Sequence, residues 1–382
     1  MNLDYILLNL LLLVVFCHSG NMISRGRNYW QYAMYCILSY SFVLGCRFAR
    51  GTDYHGYSAL FASGREHVEN PLFSFVNSAL SFVGFNRYSC FIAYAFVFVV
   101  CAMWFMKDYK QYAKYMFPCF LIGFIRFEEY MIRQAFSYSF FFIYICYLFR
   151  IRQFRLRELW TNKKRLFLLA FWGGLVIAIH TGNIFSLVLV TVLYLFCNNP
   201  ITPKITIPVY LFCVYILSNT FNFSYLDPLL SFAAENNNLA ADYYSHAEHW
   251  FSEAGKQDIY EKNFYAETFQ VLGSSAFMFL LYKVIRKEKK YRRMLITILN
   301  MFFIGLCIES VFVELEILNR IGITIHQIGY LAIPFILANY SYYHKYKVLY
   351  ITLLWFIYYY IKYWLFCPWA MFIWDTPYSF FS

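Results

Sequence analysis

Charge is what this chain has least of. Asp, Glu, Lys and Arg make up 14% of its 382 residues, while 61% are hydrophobic and 24% aromatic. That balance would leave a water-soluble globule with far too much exposed apolar surface. Linkers are missing too: no Gly/Ser-rich or Pro-rich stretch and no repeat of fixed period divides the chain, so it reads as one domain. It has no P-loop, no GxGxxG, no GxSxG, no HExxH and no CxxC pair, which removes the usual nucleotide, serine-hydrolase and zinc-peptidase readings. Asp53 has no second carboxylate at DxD spacing, which argues against a tightly held divalent metal. Neither a metal nor a cofactor is expected. The eleven cysteines lack paired spacing, and most (Cys36, Cys101, Cys119, Cys146, Cys197, Cys213, Cys307) fall within or at the ends of apolar stretches, so they read as small apolar residues rather than a disulfide framework.

What the chain has instead is apolar runs. Crossing a hydrocarbon core of roughly 30 Å takes about 20 helical residues. Clear runs are Leu3 to Cys17, Tyr29 to Cys46, Tyr88 to Met106, Ile132 to Phe149, Ile205 to Ser218, Phe269 to Ile285, Met294 to Val313, Ile321 to Asn339 and Val348 to Phe366. Three shorter ones are Met116 to Ile125, Leu166 to Ile179 and Ile184 to Cys197, which either draw flanking polar residues into the membrane or form re-entrant hairpins. The expectation is an all-α polytopic transmembrane protein of about 12 spans, with 10 as the alternative. Asp4 rather than a basic segment precedes the first apolar stretch, Ile6 to Phe16, which reads as a retained helix and not a signal peptide.

The few charges are sorted. Segments 19–31, 107–115, 150–165, 198–204, 283–293 and 340–347 hold 22 of the 32 Lys and Arg residues, and only three acids, Asp108, Glu158 and Glu288. Alternating the spans puts all six on one side, which the positive-inside rule makes cytoplasmic, with both termini outside. The formal charge of +11 is therefore a record of topology. Nucleic-acid binding would need those bases gathered on one accessible surface, and it is not expected.

Candidate chemistry falls on the other side. Arg47-Phe-Ala-Arg-Gly-Thr-Asp-Tyr-His-Gly-Tyr57 follows a span directly; Arg47 and Arg50 suit phosphate oxygens, Asp53 can accept a proton, and Tyr54 and Tyr57 add hydroxyls. The plain alternative is an interfacial cap with Asp53 paired to Arg47 or Arg50. Arg126 to Gln134 packs several charges between two apolar runs, where ionisable groups are costly and suggest function. Arg133 there either faces an outer vestibule or pairs with Glu128 or Glu129. His180-Thr-Gly-Asn183 is a tight polar turn between short runs, with His180 either an acid–base group or a hydrogen-bonded structural residue. Arg320 either reaches the same vestibule or neutralises Glu314 and Glu316, and His326 with Gln327 reads as bonding between helices. Lys362 is expected to snorkel outward. The large segments Arg47 to Arg87 and Asn219 to Thr268 are too long for simple connections and are expected to form the vestibule.

The run Arg47, Gly51-Thr-Asp53-Tyr, Tyr57 and then Glu69 resembles the first outer loop of EpsG-type proteins, and Arg133-Gln134-Ala135, the His180 turn and Arg320-Ile follow in the order that family shows. The resemblance covers roughly Arg47 to Pro334, with departures at Thr181-Gly-Asn and Gly322 to Thr324. It implies a GT-C-like, Wzy-type polymerase of O-antigen, capsule or exopolysaccharide in a bacterial cytoplasmic membrane. Its substrate would be an undecaprenyl-diphosphate-linked oligosaccharide, and a flippase and a chain-length regulator would be pathway partners. On that reading Asp53 or His180 takes the acceptor proton, Arg133 is catalytic, Arg47, Arg50 and Arg320 hold the diphosphate, and Tyr54, Tyr57, Glu69 and Gln134 line the vestibule. Two rivals are a lipid-linked oligosaccharide flippase, which should show paired halves with midplane groups, and a membrane O-acyltransferase of glycans.

Overall fold

A computed structural model describes residues 3–64, 70–151, 162–220, 264–313, 316–367 and 370–379. The expected vestibule residue Glu69, the expected Arg320 counter-ion Glu314, and most of the second large segment lie outside those residues. Twelve of the apolar runs become helices: α1 (Leu3–Ser24), α2 (Tyr29–Gly45), α5 (Cys90–Met106), α6 (Ala113–Tyr130), α7 (Ile132–Phe149), α8 (Lys163–Ile179), α9 (Ile184–Phe196), α10 (Pro203–Phe212, continued by a π-turn), α11 (Phe264–Lys287), α12 (Arg292–Val311), α13 (Glu316–His326, continuing through a tight turn into α14, Ile333–Ala338) and α15 (Lys347–Tyr360). Two shorter helices, α3 (Tyr54–Ser63) and α4 (Pro71–Phe82), lie in the first large loop.

Among the described residues, seven helical stretches are long and apolar enough to cross a membrane by length and composition. One is the 41-residue stretch Cys90–Tyr130, and it folds back on itself. Phe98 touches both Phe120 and Phe124, which a straight helix rising 1.5 Å per residue would hold more than about 30 Å away. The fold is an all-α polytopic membrane protein. Lipid-facing sides are apolar: Leu3, Leu7, Leu10, Leu11 and Val14 of α1 are exposed, while Tyr5, Leu12 and Phe16 are buried, the helical spacing of a face in hydrocarbon and a face in protein.

The charge sorting survives in three dimensions. Ser24 accepts from the Lys114 amide, Arg150 grips Asp108 at 2.7 Å, Arg293 donates to the carbonyls of Tyr194 and Leu195, Gln111 bonds Tyr291, and Lys287 lies over Tyr342. These contacts draw the basic segments to one end of the bundle. Asn28 and Asn162 cap α2 and α8 there, each accepting from amides of the first helical turn, as short polar side chains do at helix starts.

A two-stranded antiparallel pairing closes the opposite end. β1 (Arg47–Phe48) pairs with β2 (Met371–Phe372), Arg47 opposite Phe372, and the Ile373 amide donates to Cys46 O at 2.9 Å. Phe48 stacks on Tyr378, and Asn86 Nδ2 donates to Ser379 O. The C-terminal strand thus clamps the segment in which the candidate residues begin.

Candidate functional site

The chain leaves α2 at the far end and turns inward sharply. Ala49 has φ +54° and Gly51 φ +86°, a left-handed conformation that non-glycine residues adopt at a cost. A Cβ on Gly51 would also run into the Glu129 carbonyl. This tight course buries Arg47 and Arg50 on the end of α6. Arg47 Nη1 reaches Glu128 Oε2 at 3.1 Å and the Leu44 carbonyl, and its guanidinium lies 5.5 Å from the Phe91 ring. Arg50 forks onto Glu129, Nη2 at 2.9 Å and Nε at 3.1 Å from Oε2, and donates to Tyr363 O at 3.0 Å. Both arginines and both glutamates are nearly inaccessible, 1% to 6% exposed.

The residues of the interfacial-cap reading therefore pair differently. Glu128 and Glu129 bind Arg47 and Arg50, not Arg133, and Asp53 binds neither of its near neighbours. Its partner is Arg320 of α13: Arg320 Nη2 lies 3.2 Å from Oδ1 and Nη1 lies 3.3 Å from Oδ2. This pair is partly open, with side chains 29% and 15% exposed.

Tyr57 lies one turn along α3 from Asp53, its amide donating to the Asp53 carbonyl at 3.0 Å. Burial pushes its hydroxyl above the ordinary tyrosine range; the Arg133 charge opposes that, Asp53 adds to it, and Arg320 again opposes. Arg133, partly exposed at the start of α7, approaches Asn70, whose amide, in the orientation that satisfies both of its ends, accepts from Nη1 at 3.1 Å and donates to Ile179 O at 3.0 Å. Asn70 thereby links α7 to the His180 turn. His180 ends α8 in extended backbone, and its imidazole packs over Gly182. Asn183 donates to Gln134 O at 3.2 Å and Ser137 Oγ at 2.8 Å. Gln134 is thus buried in the joint between α7 and the turn, and Tyr54 is buried with its ring stacked on Phe91 at 4.4 Å.

Asp53, Tyr57, Arg133, His180 and Arg320, from four separate regions of the chain, converge at the end of the bundle away from the basic loops. Asn70 is part of this arrangement and sequence reasoning passed over it; the Asn-Pro helix start was the only signal. Also unremarked in the sequence is Glu309. It lies inside an apolar run, and a carboxylate there is itself a signal. Its Oε2 stands 3.2 Å from His326 Nδ1, an ion-pair contact between helices, and Gln327 bonds between helices in donating to Gly123 O at 2.7 Å.

The convergence is of residues whose order in the chain had suggested a family, and the comparisons bear on that order. No curated protein and no solved structure matches this chain. One family profile does, over residues 30–380, which takes in every side chain of the convergence and the clamping strand. The chain belongs to the EpsG family, a family of Wzy-type polysaccharide polymerase-like proteins.

Proposed function

We propose that this protein is a polysaccharide polymerase that joins undecaprenyl-diphosphate-linked glycan repeats to an acceptor glycan at the outer face of a bacterial cytoplasmic membrane, with a GT-C-like mode of action. The observation that carries the reading is the gathering of Arg320 on Asp53 and of Arg133 on Asn70 beside the His180 turn, against which α13 packs, at the end of the bundle opposite the basic loops. Basic loops stay cytoplasmic, so this end faces outward. Sugar nucleotides are confined to the cytoplasm, and an outward-facing transferase needs a donor that arrives through the membrane.

In the proposed reaction an acceptor hydroxyl attacks the anomeric carbon, and the bond from that carbon to the phosphate oxygen breaks. The leaving diphosphate gathers negative charge. Arg133 and Arg320, partly open and already oriented by Asn70 and Asp53, stabilise it, and pre-placed cations act most strongly where charge develops. Arg47 and Arg50 hold the end of α6 through Glu128 and Glu129 and so shape the site from behind. His180 lies on the Arg133 side, where its imidazole offers a further donor to a phosphate oxygen.

A deletion strain tests the class. A polymerase leaves single-repeat glycan on an outward-exposed carrier; accumulation on the inner leaflet would instead mark a flippase, and full-length glycan lacking acetyl groups an O-acyltransferase. Arg133→Ala should abolish polymer with the protein still present in the membrane, and full-length polymer from that variant would remove Arg133 from the mechanism.

A further inference from the structure

Of the two groups the polymerase reading offers for the acceptor proton, His180 packs over Gly182 beside the Arg133–Asn70 link, on the diphosphate side. Asp53 has both oxygens on Arg320, and Glu128 and Glu129 are enclosed with arginines. The Asp53 oxygens are already taken up by the guanidinium, and the two glutamates are too enclosed for an acceptor hydroxyl to reach. Glu309 is different in both respects. It is 29% exposed, and its partner is an imidazole that is 6% exposed. An accessible carboxylate set beside an imidazole is a common acid–base arrangement.

The local packing builds this pair. α12 and α13 approach through Gly305 and Gly322; a Cβ on Gly305 would strike the His326 backbone, and one on Gly322 the Glu309 backbone. Only side chains reduced to hydrogen let the helices close enough for His326 to reach Glu309. The imidazole is fixed edge-on between Phe302 and Tyr330, at 5.8 and 6.2 Å. Asn319, the residue before Arg320, donates to Glu309 O at 3.0 Å. α13 therefore carries Arg320 toward Asp53 on one side and His326 toward Glu309 on another.

The surroundings suit a sugar. Arg126 is exposed and lies 5.1 Å from the Tyr359 ring and 5.7 Å from the Tyr363 ring. Tyr359 and Tyr363 stack at 5.7 Å. Aromatic faces beside a guanidinium and hydroxyls offer the apolar and polar contacts that a pyranose presents on its faces and rim.

We propose that Arg126, Glu309, His326, Tyr330 and Tyr359 form the acceptor-glycan side of the site, with Glu309 as the base that takes the acceptor hydroxyl proton. This rests on the polymerase reading. The acceptor O–H bond breaks toward a Glu309 oxygen as the new C–O bond forms at the anomeric carbon, and the diphosphate departs with the electron pair of the old bond. His326 is a positioning residue: it orients Glu309 and shares the proton.

The test uses the full chain in lipid nanodiscs, the single-repeat lipid-linked glycan extracted from a deletion strain as substrate, and undecaprenyl diphosphate alone as a binding probe. Glu309→Gln should lower turnover by about 10²–10⁴-fold and leave undecaprenyl diphosphate binding unchanged. His326→Gln should displace the acidic limb of the pH–rate profile, a change that loss of packing alone does not produce. Arg126→Lys should raise the KM for acceptor and spare the carrier. Wild-type turnover from Glu309→Gln would overturn the assignment while leaving the polymerase reading intact. Loss of carrier binding along with turnover would make Glu309 structural and also overturn it. A wild-type protein inert on this substrate, in a strain whose deletion leaves polymer unchanged, would overturn both.

Discussion

Arg320 and Asp53 stand 267 positions apart in the chain and 3.2 Å apart in space, and the consequence of that pairing can be measured. Exposed ion pairs contribute about 0–1 kcal/mol, so removing this half-open one should cost little stability. Asp53→Asn and Arg320→Gln are expected to reach the membrane at normal levels and to lose polymer. The charge-exchanged double variant, Asp53→Arg with Arg320→Asp, restores the ion pair but moves the guanidinium off α13; it should stay inactive, and recovered polymer would reduce the pair to packing. Arg47 makes the contrast. Arg47→Met leaves Glu128 enclosed without a counter-charge, a loss of about 3–5 kcal/mol, visible as a lowered thermal midpoint in detergent and reduced abundance. Adding Glu128→Leu should recover most of that midpoint. At this scale the sequence showed which residue types were present and on which side, but it could not pair them: Asp53 had two arginines within six positions, and the fold gave it a third from far away.

Between residue and molecule stands the segment from α2 to α3, whose left-handed Ala49 and Gly51 and whose strand pairing aim everything that follows. Gly51→Ala should be costly on two grounds: the positive φ disfavours a Cβ by roughly 1–2 kcal/mol, and that Cβ meets the Glu129 carbonyl. The expected outcome is a lower thermal midpoint with lost polymer; an unchanged midpoint would show that the turn relaxes. Ending the chain at residue 369 removes β2 and the contacts of Tyr378 and Ser379. That truncation should leave the bundle inserted and abolish polymer, and normal polymer from it would show that β1 holds its course alone. The helices themselves were legible because a long apolar run in hydrocarbon must satisfy its own backbone. The clamp was not, since a strand two residues long on each side carries no periodicity to read.

Across the whole molecule the asymmetry of charge is the organising feature. Single-cysteine accessibility labelling in a background without the native cysteines should place positions 53 and 320 on one side of the membrane, and positions 110 and 290 on the other. Labelling of 53 and 320 from opposite sides would undo the site. The pair of Arg150 and Asp108 at the basic end is largely exposed, at 46% and 33%, so Asp108→Asn should shift the midpoint little and leave polymer intact. What the sequence determined by itself was class, helix positions and the sorting of basic loops to one end, because those follow from hydropathy and the count of Lys and Arg, which are sums along the chain. What only the tertiary structure decided was partnership: that Glu128 and Glu129 take Arg47 and Arg50, that Asp53 takes Arg320, and that Glu309 faces His326. Partnership depends on which helices touch and at what depth, and packing between distant segments sets that depth where no local pattern records it.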